Sequence, residues 1–110
     1  MTFDEYQEKA QATAITNPDP LMDKTIWAMG VVGEAGEVIE KWKKIVAYHG
    51  GEISHEDRHE LGKELGDVVW YIAIFAQSLG LSLDEIMKQN LTKLADRKKR
   101  GVQIGAGDNR

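Results

Sequence analysis

Gly33-Glu34-Ala35-Gly36-Glu37 and its later counterpart Glu64-Leu65-Gly66-Asp67 each set two acids three residues apart inside strongly helical sequence. Residues at that spacing are neighbours on one face of a helix, with Cβ atoms about 5–6 Å apart, so each pair stacks like charge on like charge and costs a few tenths of a kcal/mol. Something positive is needed to compensate. On a helical wheel with Glu34 at zero, the apolar stripe Val31, Ala35, Val38, Trp42 and Ile45 centres near roughly 60° and Glu37 falls near about −60°. With Glu64 at zero, Leu61, Leu65, Val68, Ile72, Phe75 and Leu79 take the same place, and Asp67 again falls near about −60°. The two segments therefore carry their acids on the same edge of the same kind of stripe.

Two helices related by a tight turn at His49-Gly50-Gly51-Glu52 form an antiparallel hairpin, and the two acidic pairs lie equally far from that turn. The pseudo-two-fold relation of such a hairpin brings equal offsets to the same side of the seam and to the same level. Four carboxylates, Glu34, Glu37, Glu64 and Asp67, are thus expected to converge into an oxygen-rich site suited to Mg²⁺ or Mn²⁺. The competing reading is a solvated, salt-bridged face, with Glu37 paired to Lys41 and Glu40 to Lys44 at i, i+4. The matched offset and matched distance from the turn favour the cation site.

The rest of the chain is organised as helices around this pair. Thr2-Phe3-Asp4-Glu5 is a capping box that opens a first helix through about Ala14. Asn17-Pro18-Asp19-Pro20 ends it and begins a second, with Asp19 as N-cap and Pro20 in the first turn, running to about Tyr48. Ser54-His55-Glu56-Asp57 caps a third that stops at Gly80, and Ser82-Leu83-Asp84-Glu85 is a capping box for a fourth, ended by Gly101. This predicts an all-α, antiparallel four-helix bundle over residues 1–100, completed or extended by oligomerisation, followed by a Gly-rich tail, 101–110, that is mobile unless it docks on a partner or ligand. Gly30, Gly33 and Gly36 each cost about 1 kcal/mol inside a helix, which requires either close helix packing or close approach of a ligand.

The 110 residues make one modest core, which is the reason to expect oligomerisation. No apolar run reaches the ~20 residues of a membrane span, and there is neither a secretory signal pattern nor a cysteine, so the expected setting is cytoplasmic. A net charge of −4 argues against general nucleic-acid binding. His55-Glu56-Asp57-Arg58-His59 matches His-Glu-x-x-His, a zinc-hydrolase pattern, but it occupies a capped, solvated helix start with no third ligand downstream and reads as surface histidines. Trp42 lies within the apolar stripe and is expected in the core, whereas Trp27 and Trp70 are candidates for base stacking or a subunit interface.

Gly33-Glu34-x-x-Glu37 followed across a loop by Glu64-x-x-Asp67 resembles the all-α nucleoside triphosphate pyrophosphohydrolases, specifically the MazG-like proteins, over nearly the whole chain. Gly33 stands where the family has the first of two adjacent glutamates, a departure that bears on substrate and rate more than on metal binding. The resemblance implies that Glu34, Glu37, Glu64 and Asp67 are the metal-binding and catalytic acids, with Mg²⁺ as cofactor and Mn²⁺ as alternative. It implies substrate contacts from Tyr71, Asn90, Lys93 and Arg97, and cleavage of a nucleoside triphosphate between the α and β phosphates to a monophosphate and pyrophosphate. It implies a homodimer or homotetramer. Asn90, Lys93 and Arg97 do share one helical face, although basic residues near a helix C-terminus also complement its dipole, and Tyr71 could equally be a core-edge residue. Related pyrophosphatases act on phosphoribosyl-ATP, dUTP or dCTP, and a non-catalytic dimerisation or metal-binding module is the alternative from another class.

Overall fold

The computed structural model describes all of residues 1–110 and is entirely helical: α1 (Phe3–Ala12), α2 (Pro20–His49), α3 (His55–Ser78) and α4 (Leu83–Arg100). Each helix starts on the residue its sequence signals. Thr2 forms the full capping box with Glu5, Asp19 accepts from the Leu21 N–H with Pro20 in the first turn, and Ser54 forms a reciprocal box with Asp57. Ser82 caps α4 by accepting from the Glu85 N–H, but the reciprocal half of that box is missing. The same hydroxyl also donates to the Asp4 carboxylate, at 2.8 Å.

That contact is part of a clamp between the starts of α1 and α4. The Asp84 N–H donates to Asp4 at 3.0 Å, and the Phe3 N–H donates to Asp84 at 3.0 Å, so each helix start supplies a carboxylate to the other. Beneath them Gln7 is buried with its amide fully used: its nitrogen donates to the Ala73 and Leu81 carbonyls, and its oxygen accepts from the Leu83 N–H. A buried amide survives only with such partners, because an unsatisfied one costs about 1–3 kcal/mol.

α2 and α3 form the expected antiparallel hairpin, turned by Gly50 and Gly51 at φ 61° and 84°, values that favour glycine. α1 packs across α3, and α4 packs on α1 and on α3 but has no close backbone approach to α2, leaving α3 at 106°. The core lies where α1, the first half of α2, the second half of α3 and the start of α4 meet. It consists of Ala10, Trp27, Ala73, Ile74 and Leu83, flanked by Tyr6, Trp70, Tyr71, Phe75 and Met87.

Because only one end of the hairpin is covered, the tryptophans sort differently from the sequence expectation. Trp27 is core at 7% exposure, Trp42 stands 41% exposed, and the Trp70 indole N–H donates to Thr13 Oγ1 at 2.9 Å. Trp42 has the right face of α2, but no second layer reaches that far along it.

The interior glycines separate into two kinds. A Cβ on Gly30 would lie 2.3 Å from the Tyr71 ring, so this glycine is what lets that aromatic seat against α2, whereas Cβ atoms on Gly33, Gly36, Gly62 and Gly66 would meet nothing within 4 Å. Gly30→Ala is expected to destabilise the protein: a Cβ that close to the ring carries an overpacking cost of about 1–3 kcal/mol, which exceeds the ~1 kcal/mol gained in helix propensity. The measurement is thermal melting beside Gly62→Ala, which should show no such loss; equal melting of Gly30→Ala and wild type would contradict the packing account.

Candidate metal centre

Glu34 on α2 faces Glu64 and Asp67 on α3, and one oxygen from each of the three carboxylates lies within 4.8 Å of the others. The hairpin makes this convergence, placing the middle of α2 level with the middle of α3. Burial first, and then the charges of Asp67, Glu64 and Glu37, push the Glu34 carboxyl above its ordinary value of 4.5. Three acids drawn together without full neutralisation are a set that a small, hard cation would relieve, and all-oxygen donors suit Mg²⁺ or Mn²⁺ over zinc. The residues present therefore fit a divalent cation held by Glu34, Glu64 and Asp67.

Glu37 is exposed and stands outside the converged oxygens, while still contributing to the field at Glu34. Its expected partner Lys41 pairs instead across the seam with Glu64, at 3.5 Å, so α2 supplies a cation as well as an acid to this site. Glu40 does pair with Lys44, at 3.6 Å, and with Lys43 at 2.8 Å. Lys41 was legible as a member of the acidic edge, four residues beyond Glu37; its choice of the α3 partner was not. Tyr6 is a second neighbour that no local pattern reveals: it comes from α1, and burial together with the Asp67 charge pushes its hydroxyl up.

The raised Glu34 carboxyl has a pH consequence. A carboxyl whose folded value exceeds its unfolded one is strained when ionised, so its cost grows as pH rises through the interval above 4.5 and disappears as pH falls to that value. Asp4 and Asp57 have the opposite sign. The Asp84 backbone N–H and then the Ser82 hydroxyl lower Asp4, and the Ser54 backbone N–H and then its hydroxyl lower Asp57; their contribution is lost only below the ordinary 3.8. Without metal, the gain in melting temperature on acidifying from neutrality toward pH ~5 should therefore be larger in wild type than in Glu34→Gln, and Mg²⁺ should stabilise most at neutral pH. Identical pH profiles for the two proteins would contradict the assignment.

The other expected substrate residues are placed elsewhere. Tyr71, one turn beyond Asp67, is seated on Gly30 and meets Trp70 edge to face, with ring centroids 4.9 Å apart. Asn90 is exposed on α4, and Lys93 and Arg97 bind Asp108 of the C-terminal tail. None of the three pairs with Glu34, Glu37, Glu64 or Asp67: Lys93 and Arg97 are held by Asp108, and the close backbone approaches of α4 are to α1 and α3. His55 and His59 are exposed, and neither joins a set of three metal-ligating side chains.

Fold and site together define a helical-bundle protein whose central hairpin carries a carboxylate cluster fit for a divalent cation. Residues 24–102 match the family model described as the MazG nucleotide pyrophosphohydrolase domain, and the chain belongs to that family of hydrolases. It is 45% identical over 114 residues to "Gene 37 protein" of Mycobacterium phage L5, an alignment covering 100% of both chains. It is also 45% identical over 42 residues to "Uncharacterized protein YvdC" of Bacillus subtilis (strain 168), covering 38% of this chain and 40% of that one. No solved structure matches the chain.

Proposed function

We propose that the protein hydrolyses a nucleoside triphosphate between its α and β phosphates in the presence of Mg²⁺, releasing a nucleoside monophosphate and pyrophosphate. The observation that carries this reading is the convergence of Glu34, Glu64 and Asp67 within a chain of the MazG family. A divalent cation bound there supplies charge neutralisation on phosphate oxygens and makes water a better nucleophile at neutral pH. Glu34, Glu64 and Asp67 hold the site's negative charge at one level of the hairpin, and Lys41 offsets part of it from the Glu64 side. Glu37, close to the converged oxygens but outside them, suits the part of proton acceptor from the attacking water.

Asn90, Lys93 and Arg97 serve in this reading as phosphate contacts to a substrate held at the acids of a second copy, which suits their having no ion pair with the four acids of their own. Assembly is supported by the incomplete burial of the single chain: only Ala10, Trp27, Ile45, Ala73, Ile74, Ala76 and Leu83 are buried apolar residues, while Val32 and Ile39 are 74% and 63% exposed. No helix is long and apolar enough to cross a membrane.

The test is product identification after incubation with Mg²⁺ and a panel of ribo- and deoxynucleoside triphosphates, including dUTP and dCTP, with phosphoribosyl-ATP as a further substrate. Monophosphate and pyrophosphate in equal amounts are expected. Diphosphate and inorganic phosphate would contradict the cleavage position, and no turnover on any member of the panel would leave a non-catalytic metal-binding or dimerisation module.

A further inference from the structure

The C-terminal tail, residues 101–110, is folded rather than trailing. Gly101 ends α4 in the left-handed conformation, and the Arg110 guanidinium then gathers the Val102, Gln103 and Gly107 carbonyls, at 3.2, 2.9 and 2.7 Å. Arg100 donates to the Arg110 carbonyl at 2.8 Å. This closes the tail into a loop that returns Asp108 to α4, where one carboxylate oxygen lies 2.8 Å from Lys93 Nζ and 3.2 Å from Arg97 Nη2, and the Asp108 carbonyl also accepts from Arg97.

Arg97 is 6% exposed, an unusual condition for a guanidinium, and its Nε is buried without an acceptor. A single carboxylate oxygen shared between two cations leaves that buried donor unused. An anion with three terminal oxygens around one tetrahedral centre could meet Lys93 and Arg97 at once and still serve the spare N–H, which a planar carboxylate held from the tail does not do.

We propose that Asp108 is a built-in competitor for the phosphate-class anion that the hydrolase reading assigns to Lys93 and Arg97, so that the folded tail holds those two cations closed until a polyphosphate displaces it. The proposal rests on the hydrolase reading only in taking Lys93 and Arg97 as phosphate contacts. The pairing lowers Asp108, through Lys93 first and Arg97 next, so the competitor keeps its charge throughout the neutral range.

The experiment uses the full chain and inorganic triphosphate without divalent cations, in a chelating buffer, with affinity measured by calorimetry for wild type, Asp108→Asn, Arg110→Ala and Asp108→Asn/Arg97→Gln. Asp108→Asn removes the competing charge, and Arg110→Ala leaves it in place but releases the loop that returns it. Both are expected to bind triphosphate roughly tenfold more tightly than wild type, the worth of one charge-assisted contact, and the double variant to lose that gain. Unchanged or weaker binding by both single variants would overturn the proposal. So would a gain that survives Arg97→Gln, since it would belong to the general basicity of Lys98, Lys99 and Arg100. Metal and nucleotide are absent, so a protein that behaves as expected here yet releases no pyrophosphate would refute the hydrolase reading and leave the anion site standing. Pyrophosphate release with unchanged triphosphate affinities would do the reverse.

Discussion

Glu64→Gln and Asp67→Asn are expected to abolish metal-dependent pyrophosphate release, a loss of at least about a thousandfold, while leaving the metal-free protein as stable as wild type or more stable. The two halves of this expectation share one electrostatic cause. With no cation, Glu64 and Asp67 both raise the Glu34 carboxyl, so removing one charge relieves strain on the others. With a cation, the same substitution removes a ligand and its charge, and Mg²⁺ should no longer raise the melting temperature as it does when it binds only the folded state. Lys41 tempers the relief for Glu64→Gln, because that change also leaves its ammonium without a partner at 3.5 Å; Asp67→Asn should therefore show the clearer gain. Melting curves with and without millimolar Mg²⁺, beside a pyrophosphate assay, check both halves. Variants that melt far below wild type without metal would show that the acids stabilise the fold through ion pairs.

Charge placed on the bare face of α2 is expected to have the second large effect. Met29, Val32, Ile39 and Val46 recur at spacings of three and seven residues, forming a second apolar stripe, and all four are exposed in the single chain. Gly36 falls between them and opens close approach, since nothing lies within 4 Å of where its Cβ would be. An exposed stripe of this length is expected to be covered by a second copy. Val32→Glu and Ile39→Glu should each weaken self-association by about a hundredfold or more, the effect of burying an unpaired charge, with little change in helix content. Light scattering at micromolar concentration should show wild type as a dimer or tetramer and the variants as smaller species. Turnover should fall with assembly, because in the reading above Lys93 and Arg97 serve a substrate held by a second copy and, within their own chain, pair only with Asp108. A wild-type monomer with full activity would contradict the account.

The parts of this structure that were readable in the sequence are the parts determined locally. Caps at Thr2, Asp19 and Ser54 and left-handed stops at Gly50 and Gly101 depend on neighbours a few residues away, and each is found where its pattern lies. The meeting of Glu34 with Glu64 and Asp67 was also readable, because a tight hairpin converts matched spacing from the turn into matched height. Trp27 and Trp42 were misplaced for the opposite reason. A helical wheel gives the face a residue occupies but not how far along the helix a second layer extends, and α1 and α4 cover only the Trp27 end. The Ser82 hydroxyl, besides capping α4, donates to Asp4, a contact far away in sequence that no local pattern encodes. The closed tail likewise depends on Arg110 and Asp108 finding α4 and its C-terminal extension, which no local pattern encodes.

The claim on which the rest depends is that Glu34, Glu64 and Asp67 hold a divalent cation, and the direct measurement is the anomalous scattering of Mn²⁺ in crystals of the protein. The predicted result is a peak within about 2.1–2.3 Å of one oxygen from each of these three carboxylates, absent in Asp67→Asn. A peak at His55 and His59 with none on the hairpin seam, or no peak at millimolar Mn²⁺, would contradict it.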